Sequence, residues 1–371
     1  MLATRLQARD FRNYEALELT LPAGLTVVHG PNGAGKSNLL EALYFGCTGR
    51  SPRTSNEREM VRRGASVTRV EVDTRDEEAT HRIEVGFEPG EPRRLRVDGS
   101  LVDSLSTTSA RPLLSVFLPE RLELVKGPPS SRRAHLDQVV AALWPARAGT
   151  RAAYSRALAQ RNALLVRIRA GSSGVAALDA WDSELSRTGL KLMENRAEAV
   201  EGLRAAFAEL AAQLGLPGRA ELRYRPRSPA THAAGLAVEL GGRRQADLER
   251  GFTAHGPHRD ELQLLLDGTA LRAYGSQGQQ RAALLALLFA ERELLGSRGG
   301  RAPLMLLDDV MSELDSARRE LLSELLRAGG QGVITTTDAD HVPGAGGDGV
   351  ELVNVADGCL MPFARAGGVA A

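Results

Sequence analysis

Eight residues constrain this chain more than any others. Gly30-Pro31-Asn32-Gly33-Ala34-Gly35-Lys36-Ser37 fits G-x-x-x-x-G-K-[ST] at every position. The glycines let the backbone curl until successive N–H groups face a phosphate. A helix opening at Gly35 adds the positive end of its dipole. Lys36 then reaches the terminal phosphates of a nucleoside triphosphate, and the Ser37 hydroxyl ligates Mg2+. The context is right: the β-branched run Leu25-Thr26-Val27-Val28 leads in, and a helix is expected from about Gly35 to Phe45. Only three of the 47 basic side chains are lysines (Lys36, Lys126, Lys191), and one of them falls here. The ligands this predicts are ATP and Mg2+.

A second element follows late in the chain. Leu304-Met305-Leu306-Leu307 reads as a buried strand with Asp308 and Asp309 at its carboxyl end, where open α/β sheets bind ligands. Asp308 would hold Mg2+ through water, and Asp309 would orient or deprotonate an attacking water. A third element, Tyr274-Gly275-Ser276-Gln277-Gly278-Gln279-Gln280-Arg281, opens another helix. Ser276, Gln277, Gly278 and Gln279 make a second anion cradle there, or else Ser276 is a plain N-cap. Two cradles in one chain suggest that each nucleotide is clamped between two copies, with Lys36, Asp308, Asp309 and Ser276 as the catalytic set.

Around these motifs the texture alternates. Period-2 patterns mark strands in 2–29 and 67–103, and helical spacing takes over from 131 to 215. There Leu178, Trp181, Leu185, Leu192, Leu203, Phe207, Leu210 and Leu214 form one apolar stripe, interrupted at Gly189 and Gly202, with Gly171-Ser172-Ser173-Gly174 as the turn of a helical hairpin. Strands and helices then alternate at 262–266, 278–295, 304–308, 316–328 and 332–336, which reads as α/β. The tail after Gly344 is glycine-rich and uninformative. The expected organisation is a discontinuous head, 1–130 and 250–371, with an inserted arm at 131–249. Two cysteines exclude a disulfide scaffold, and no signal-peptide core or apolar span is present, so a cytoplasmic protein without a membrane partner is expected.

The three motifs in this order resemble the ABC-type P-loop ATPase heads of DNA-repair and chromosome-maintenance proteins. Ser312-Glu313-Leu314-Asp315 looks like their D-loop. The nearer resemblance is to the RecF family, carried by Phe11-Arg12-Asn13-Tyr14, Asn38-Leu39-Leu40-Glu41-Ala42, Pro128-Pro129-Ser130-Ser131-Arg132-Arg133 with Leu136-Asp137, and Gly256-Pro257-His258-Arg259-Asp260. It spans about residues 2 to 340. It implies a mixed sheet with an antiparallel β subdomain and an α-helical arm, and nucleotide contacts extending to Arg12, Asn13 and Asn38. It also implies ATP-driven homodimerisation on gapped or junction DNA, and cooperation with RecO and RecR to load RecA. Transporter-type heads place a glutamate where Asp309 stands, so slow turnover is expected. Their glutamine loop has its nearest counterpart at Glu120, a candidate Mg2+ ligand. Thr336 or Thr337 would sense the γ-phosphate. An ATP subunit of a membrane transporter and a non-hydrolysing DNA clamp are the alternative readings.

The net charge is only +1, so a nucleic-acid surface must be local. Residues 120–170 carry ten basic side chains against three acidic ones. Arg132, Arg133, Arg147, Arg151 and Arg161 are the candidate DNA contacts, the other reading of the helix arginines being a solvated face. Aromatics at 4% favour backbone readout over base stacking. His255, His258, Arg259 and Asp260 form either a salt-bridged turn or a group near nucleotide or DNA.

Overall fold

The computed structural model describes residues 1–105, 108–299 and 302–361. It opens with strands β1 (Leu2–Phe11), β2 (Tyr14–Thr20) and β3 (Leu25–His29), then helix α1 (Lys36–Thr48). Strands β4 (Thr68–Arg75), β5 (Thr80–Phe87), β6 (Arg94–Val97), β7 (Ser100–Leu101) and β8 (Leu114–Phe117) follow. The next helices are α2 (Glu123–Lys126), α3 (Pro129–Leu143), α4 (Gly149–Arg169) and α5 (Leu178–Gln213). After them come β9 (Ala220–Arg225), α6 (Ala233–Gly241), α7 (Arg244–Arg250), β10 (Glu261–Leu266), β11 (Thr269–Ala270), α8 (Leu271–Tyr274) and α9 (Gln277–Gly299). The chain closes with β12 (Leu304–Leu307), α10 (Ser316–Arg327), β13 (Gly332–Thr336), β14 (Val350–Ala356) and β15 (Cys359–Met361).

Two compact units result, one built from Met1–Arg121 and the chain from Gly299 onward, the other from Leu122–Arg298. In the first, an antiparallel sheet of order β2-β1-β4-β5-β6-β7 and a mixed sheet of order β15-β14-β3-β13-β12-β8 enclose α1. Strand β4 alternates as its sequence demands, burying Thr68, Val70, Val72 and Thr74. Every residue of β12 and β13 is buried, because parallel strands inside such a sheet are covered on both faces. One core joins Phe11, Tyr14, Leu40, Val72, Leu306 and Val333. Strand β14, in the stretch that carried no signal, pairs in parallel with β3.

The second unit pairs α4 with α5 as a hairpin through the 171–174 turn. Helix α5 passes through Gly189 and Gly202 without a break. Those positions are close approaches rather than interruptions: a Cβ at Gly189 would stand 3.2 Å from both Tyr154 and Leu236. The unit is larger than the 131–249 insertion drawn from periodicity. Strand β9 pairs with β10, and the 256–260 turn bonds into α4 and α5, so the chain up to Arg298 stays with the helices. Among the described residues no helix is long and apolar enough to cross a membrane.

Candidate nucleotide site

The loop from Gly30 to Gly35 connects β3 to α1, and its glycines are required by what surrounds them. Gly30 has φ 151°, and a Cβ there would fall 2.1 Å from the Val355 carbonyl oxygen of β14. Gly35 has φ 120°, and a Cβ there would fall 2.6 Å from Asn13 Nδ2. The loop is braced from three sides. Asn13 Nδ2 donates to the Ala34 carbonyl at 3.0 Å, Tyr14 Oη to the Gly35 carbonyl at 3.0 Å, and the Gly358 N–H to Ala34 at 3.0 Å. Lys36 is 7% exposed and turns back on its own loop, donating to the carbonyls of Gly30 (2.7 Å) and Pro31 (3.0 Å). Burial lowers its pKa, against the Asp309 and Asp308 carboxylates, which favour the charged form.

Ser37 and Asp308 stand 271 positions apart in the chain and meet here, with Ser37 Oγ donating to Asp308 Oδ1 at 2.9 Å. The same oxygen accepts from Thr335 Oγ1 at 2.6 Å. Asp309 has φ 46°, a left-handed conformation that costs a non-glycine residue of order 1 kcal/mol. Its N–H is held by Thr335 Oγ1 at 3.0 Å. So Thr335 touches both aspartates, whereas Thr336 turns its hydroxyl to the Asp338 carbonyl at 2.9 Å. Neighbouring strand residues face opposite ways, and the choice among those threonines depends on that one-residue step. The side chain of Glu120 lies outside the described residues.

Arg12, Asn13 and Asn38 gather at the outer flank of the loop. Asn38 Nδ2 donates to Asn13 Oδ1 at 2.8 Å, and Arg12 grips Glu41 with two nitrogens at 2.9 and 2.6 Å. Thr335, Tyr14 and Glu41 are the contributors to which the motif reading gave no role. Glu41 had a signal: a carboxylate three and four residues after Asn38 and Ser37, on the same face of α1 as both.

On the second unit, Ser276 and Gln279 form a reciprocal capping box at the start of α9. Ser276 N–H donates to Gln279 Oε1 at 2.8 Å and Gln279 N–H to Ser276 Oγ at 3.2 Å. Ser276, Gln277 and Gly278 are exposed. Back on the first unit, Asp315 caps α10 by accepting from the Arg318 N–H at 2.9 Å, and Ser312 Oγ donates to the Asp309 carbonyl.

The expected arginine strip needs correction. Arg161 is fully buried between Asp182 (2.6 Å) and Asp247 (2.8 Å). Arg132 is 3% exposed, paired with Glu261 at 2.7 Å and bonded to the carbonyls of Val125 and Gly127. Their charges are neutralised inside the fold and cannot meet a phosphate. Arg133 donates to the Asp260 carbonyl, and burial lowers its pKa. Arg147 pairs with Glu198 at 2.6 Å and stacks over Trp144, while the Arg151 side chain is 57% exposed, 3.5 Å from Asp137. The 256–260 turn is a structural joint. Arg196 bridges Asp137 (2.7 Å), Asp260 (3.3 Å) and the Pro257 carbonyl (2.8 Å), and Tyr224 bonds to Asp260. Burial raises the Asp260 pKa, opposed by its bonds from Tyr224, Arg227 and Arg196.

Comparison with known proteins agrees with this geometry. The family described as RecF/RecN/SMC N terminal domain matches residues 2–358. The DNA replication and repair protein RecF of Streptomyces avermitilis is 37% identical over 363 residues, 93% of this chain and 95% of that protein. The protein of the same name from Anaeromyxobacter dehalogenans is 41% identical over 373 residues, 96% of this chain and 98% of that one. A solved structure of the recombination mediator protein RecF with ATP, from the RecFOR pathway, superposes with a TM-score of 0.84 at 28% identity, covering 98% of this chain and 97% of its own. An Smc head bound to a ScpA winged-helix domain shares the fold, with a TM-score of 0.60 at 18% identity. A mixed-sheet P-loop head built around that braced glycine loop, matched nearly end to end by these relatives, makes the chain a member of the RecF family of DNA replication and repair proteins.

Proposed function

We propose that the chain is an ATP-dependent DNA-binding protein of recombinational repair, which dimerises around ATP on gapped or junction DNA and hydrolyses the nucleotide slowly to reset. The observation that carries this is the meeting of Ser37 and Asp308 beneath the curled loop. Two hard oxygen donors 2.9 Å apart at the first turn of α1 suit Mg2+, which keeps water ligands and takes few protein ones. When bound, that ion would neutralise charge between the outer phosphates. The backbone N–H groups of residues 32–37 cradle the phosphates, and Lys36 exchanges its two carbonyl partners for phosphate oxygens. Asp309 orients the attacking water, and its short side chain keeps turnover slow. The exposed Ser276–Gly278 turn of a second copy completes the site across the dimer. RecO and RecR as partners, and RecA as the protein loaded, come to this chain by its family membership.

The test is sedimentation with and without ATP, Mg2+ and gapped duplex. Dimers that appear with nucleotide and dissolve as it is hydrolysed are expected. Asp309→Asn should hold the dimer closed, with phosphate release down about a hundredfold. A chain that stays monomeric at saturating nucleotide overturns the reading. Dimers that persist with no phosphate release at all favour the non-hydrolysing clamp.

A further inference from the structure

We propose that the loop of residues 50–57, with Arg93, is a seat for a backbone phosphodiester of duplex DNA, and that Glu41 joins this seat to the phosphate loop. The inference deepens the DNA-binding reading and rests on it. With Arg132 and Arg161 consumed by the fold, the backbone charge needs another partner. A cavity of about 450 Å³ in the first unit is lined by Arg50, Ser51, Arg53, Thr54, Glu57 and Arg93 among others. Three guanidiniums face one carboxylate, and Glu57 is already held by Arg93 at 2.7 Å. No aromatic ring lines the cavity, so it offers charge and hydroxyls to a backbone and nothing to a base.

Helix α1 ends here, and Arg93 donates to its Gly49 carbonyl. Capping of α1 therefore accounts for Arg93. It does not account for Arg50, whose exposed guanidinium meets no carboxylate among the described residues.

The seat is wired to the nucleotide loop. Glu41 has no exposed side-chain surface. It accepts from Arg12, from Ser51 Oγ at 2.6 Å and from Arg53 at 3.2 Å. The same Arg53 nitrogen donates to Asn38 Oδ1 at 2.8 Å. Asn38 in turn donates to Asn13, and Asn13 to the Ala34 carbonyl of the phosphate loop. A phosphate in the seat competes with Glu41 and Asn38 for Arg53 and relaxes this chain of bonds. By linkage, nucleotide binding must then alter the affinity of the seat by the same factor.

The experiment measures duplex-DNA affinity against salt, with and without a non-hydrolysable ATP analogue. Arg50→Ala is expected to weaken duplex binding about tenfold at low salt. It should also lower the slope of log affinity against log salt by about 0.9. Glu41→Gln is expected to abolish the factor by which the analogue changes DNA affinity. Ser51→Ala, which removes the bond to Glu41 and the two that Ser51 Oγ accepts from the Arg53 and Thr54 N–H groups while leaving the Glu41 carboxylate charged, should reduce that factor. A wild-type chain that does not bind duplex overturns the functional reading and this inference together. Wild-type binding with an unchanged Arg50→Ala slope overturns the seat alone. An undiminished factor in both Glu41→Gln and Ser51→Ala overturns the link. Inorganic pyrophosphate at millimolar concentration is expected to leave the duplex bound; displacement would assign the seat to a free anion and overturn the nucleic-acid assignment.

Discussion

The two units use charge in opposite ways. In the first, Lys36 is held by two backbone carbonyls, neutral acceptors that an anionic phosphate oxygen outcompetes. In the second, Arg161 sits between Asp182 and Asp247, which are themselves held by Arg244 and the Ala254 N–H. Its charge has carboxylate partners inside the unit and no exposed surface. A cation with replaceable neutral partners is poised for a ligand, and one with buried ionic partners belongs to the architecture. The helical unit, which looked like the charged surface of the molecule, keeps much of its charge indoors.

Arg161→Met tests the architectural side and carries the largest effect. It strands two buried carboxylates and should cost about 4 kcal/mol, read as a fall in the urea midpoint of the second unit. A midpoint unchanged by Arg161→Met would break the contrast. Lys36→Met tests the other side. It should weaken ATP binding about a hundredfold by calorimetric titration, or about 3 kcal/mol, while melting barely moves. Loss of folding instead would make Lys36 architectural too.

His258 sharpens the comparison through pH. Burial pushes its pKa down to about 4, helped by the nearby Arg259 and Arg133 charges and opposed by the Thr253 carbonyl (3.0 Å), which favours the charged ring; the other ring nitrogen lies 2.7 Å from the Tyr154 hydroxyl. The unfolded chain takes up the proton near 6.5, before the folded one does. The contribution is therefore complete above that pH and is lost as pH falls toward 4, about 3 kcal/mol in all. Urea midpoints of wild type and His258→Gln, followed from pH 7 to 4, should differ in slope; parallel curves would discard the effect. The smallest change is expected from Arg147→Ala with Arg151→Ala. Stability should move by less than about 1 kcal/mol, since both pairs are partly exposed. The salt slope of DNA binding should drop by up to about 1.8. No change in slope makes them solvated helix face.

Much of the nucleotide site was legible because its chemistry is local. Eight consecutive residues dictate a loop, and two aspartates after four apolar residues dictate a strand end. Thr335 was missed because the decision between adjacent residues on a buried strand depends on which face meets Asp308, a fact of register. Arg132 and Arg161 were misread for a different reason. Sequence shows the sign of a side chain but not its partner, and Asp182, Asp247 and Glu261 lie 21, 86 and 129 positions from the residues they neutralise. Strand β14 lay hidden because the glycines of 344–349 mask the short run that follows them.

The brace on Gly30 has a consequence for biogenesis. A ribosome makes the glycine loop early, yet the wall that shapes it, Val355 and Gly358, emerges more than 300 codons later. A nascent chain halted before that strand should hold every residue of the motif and still lack a finished pocket, so nucleotide capture becomes a late checkpoint of synthesis.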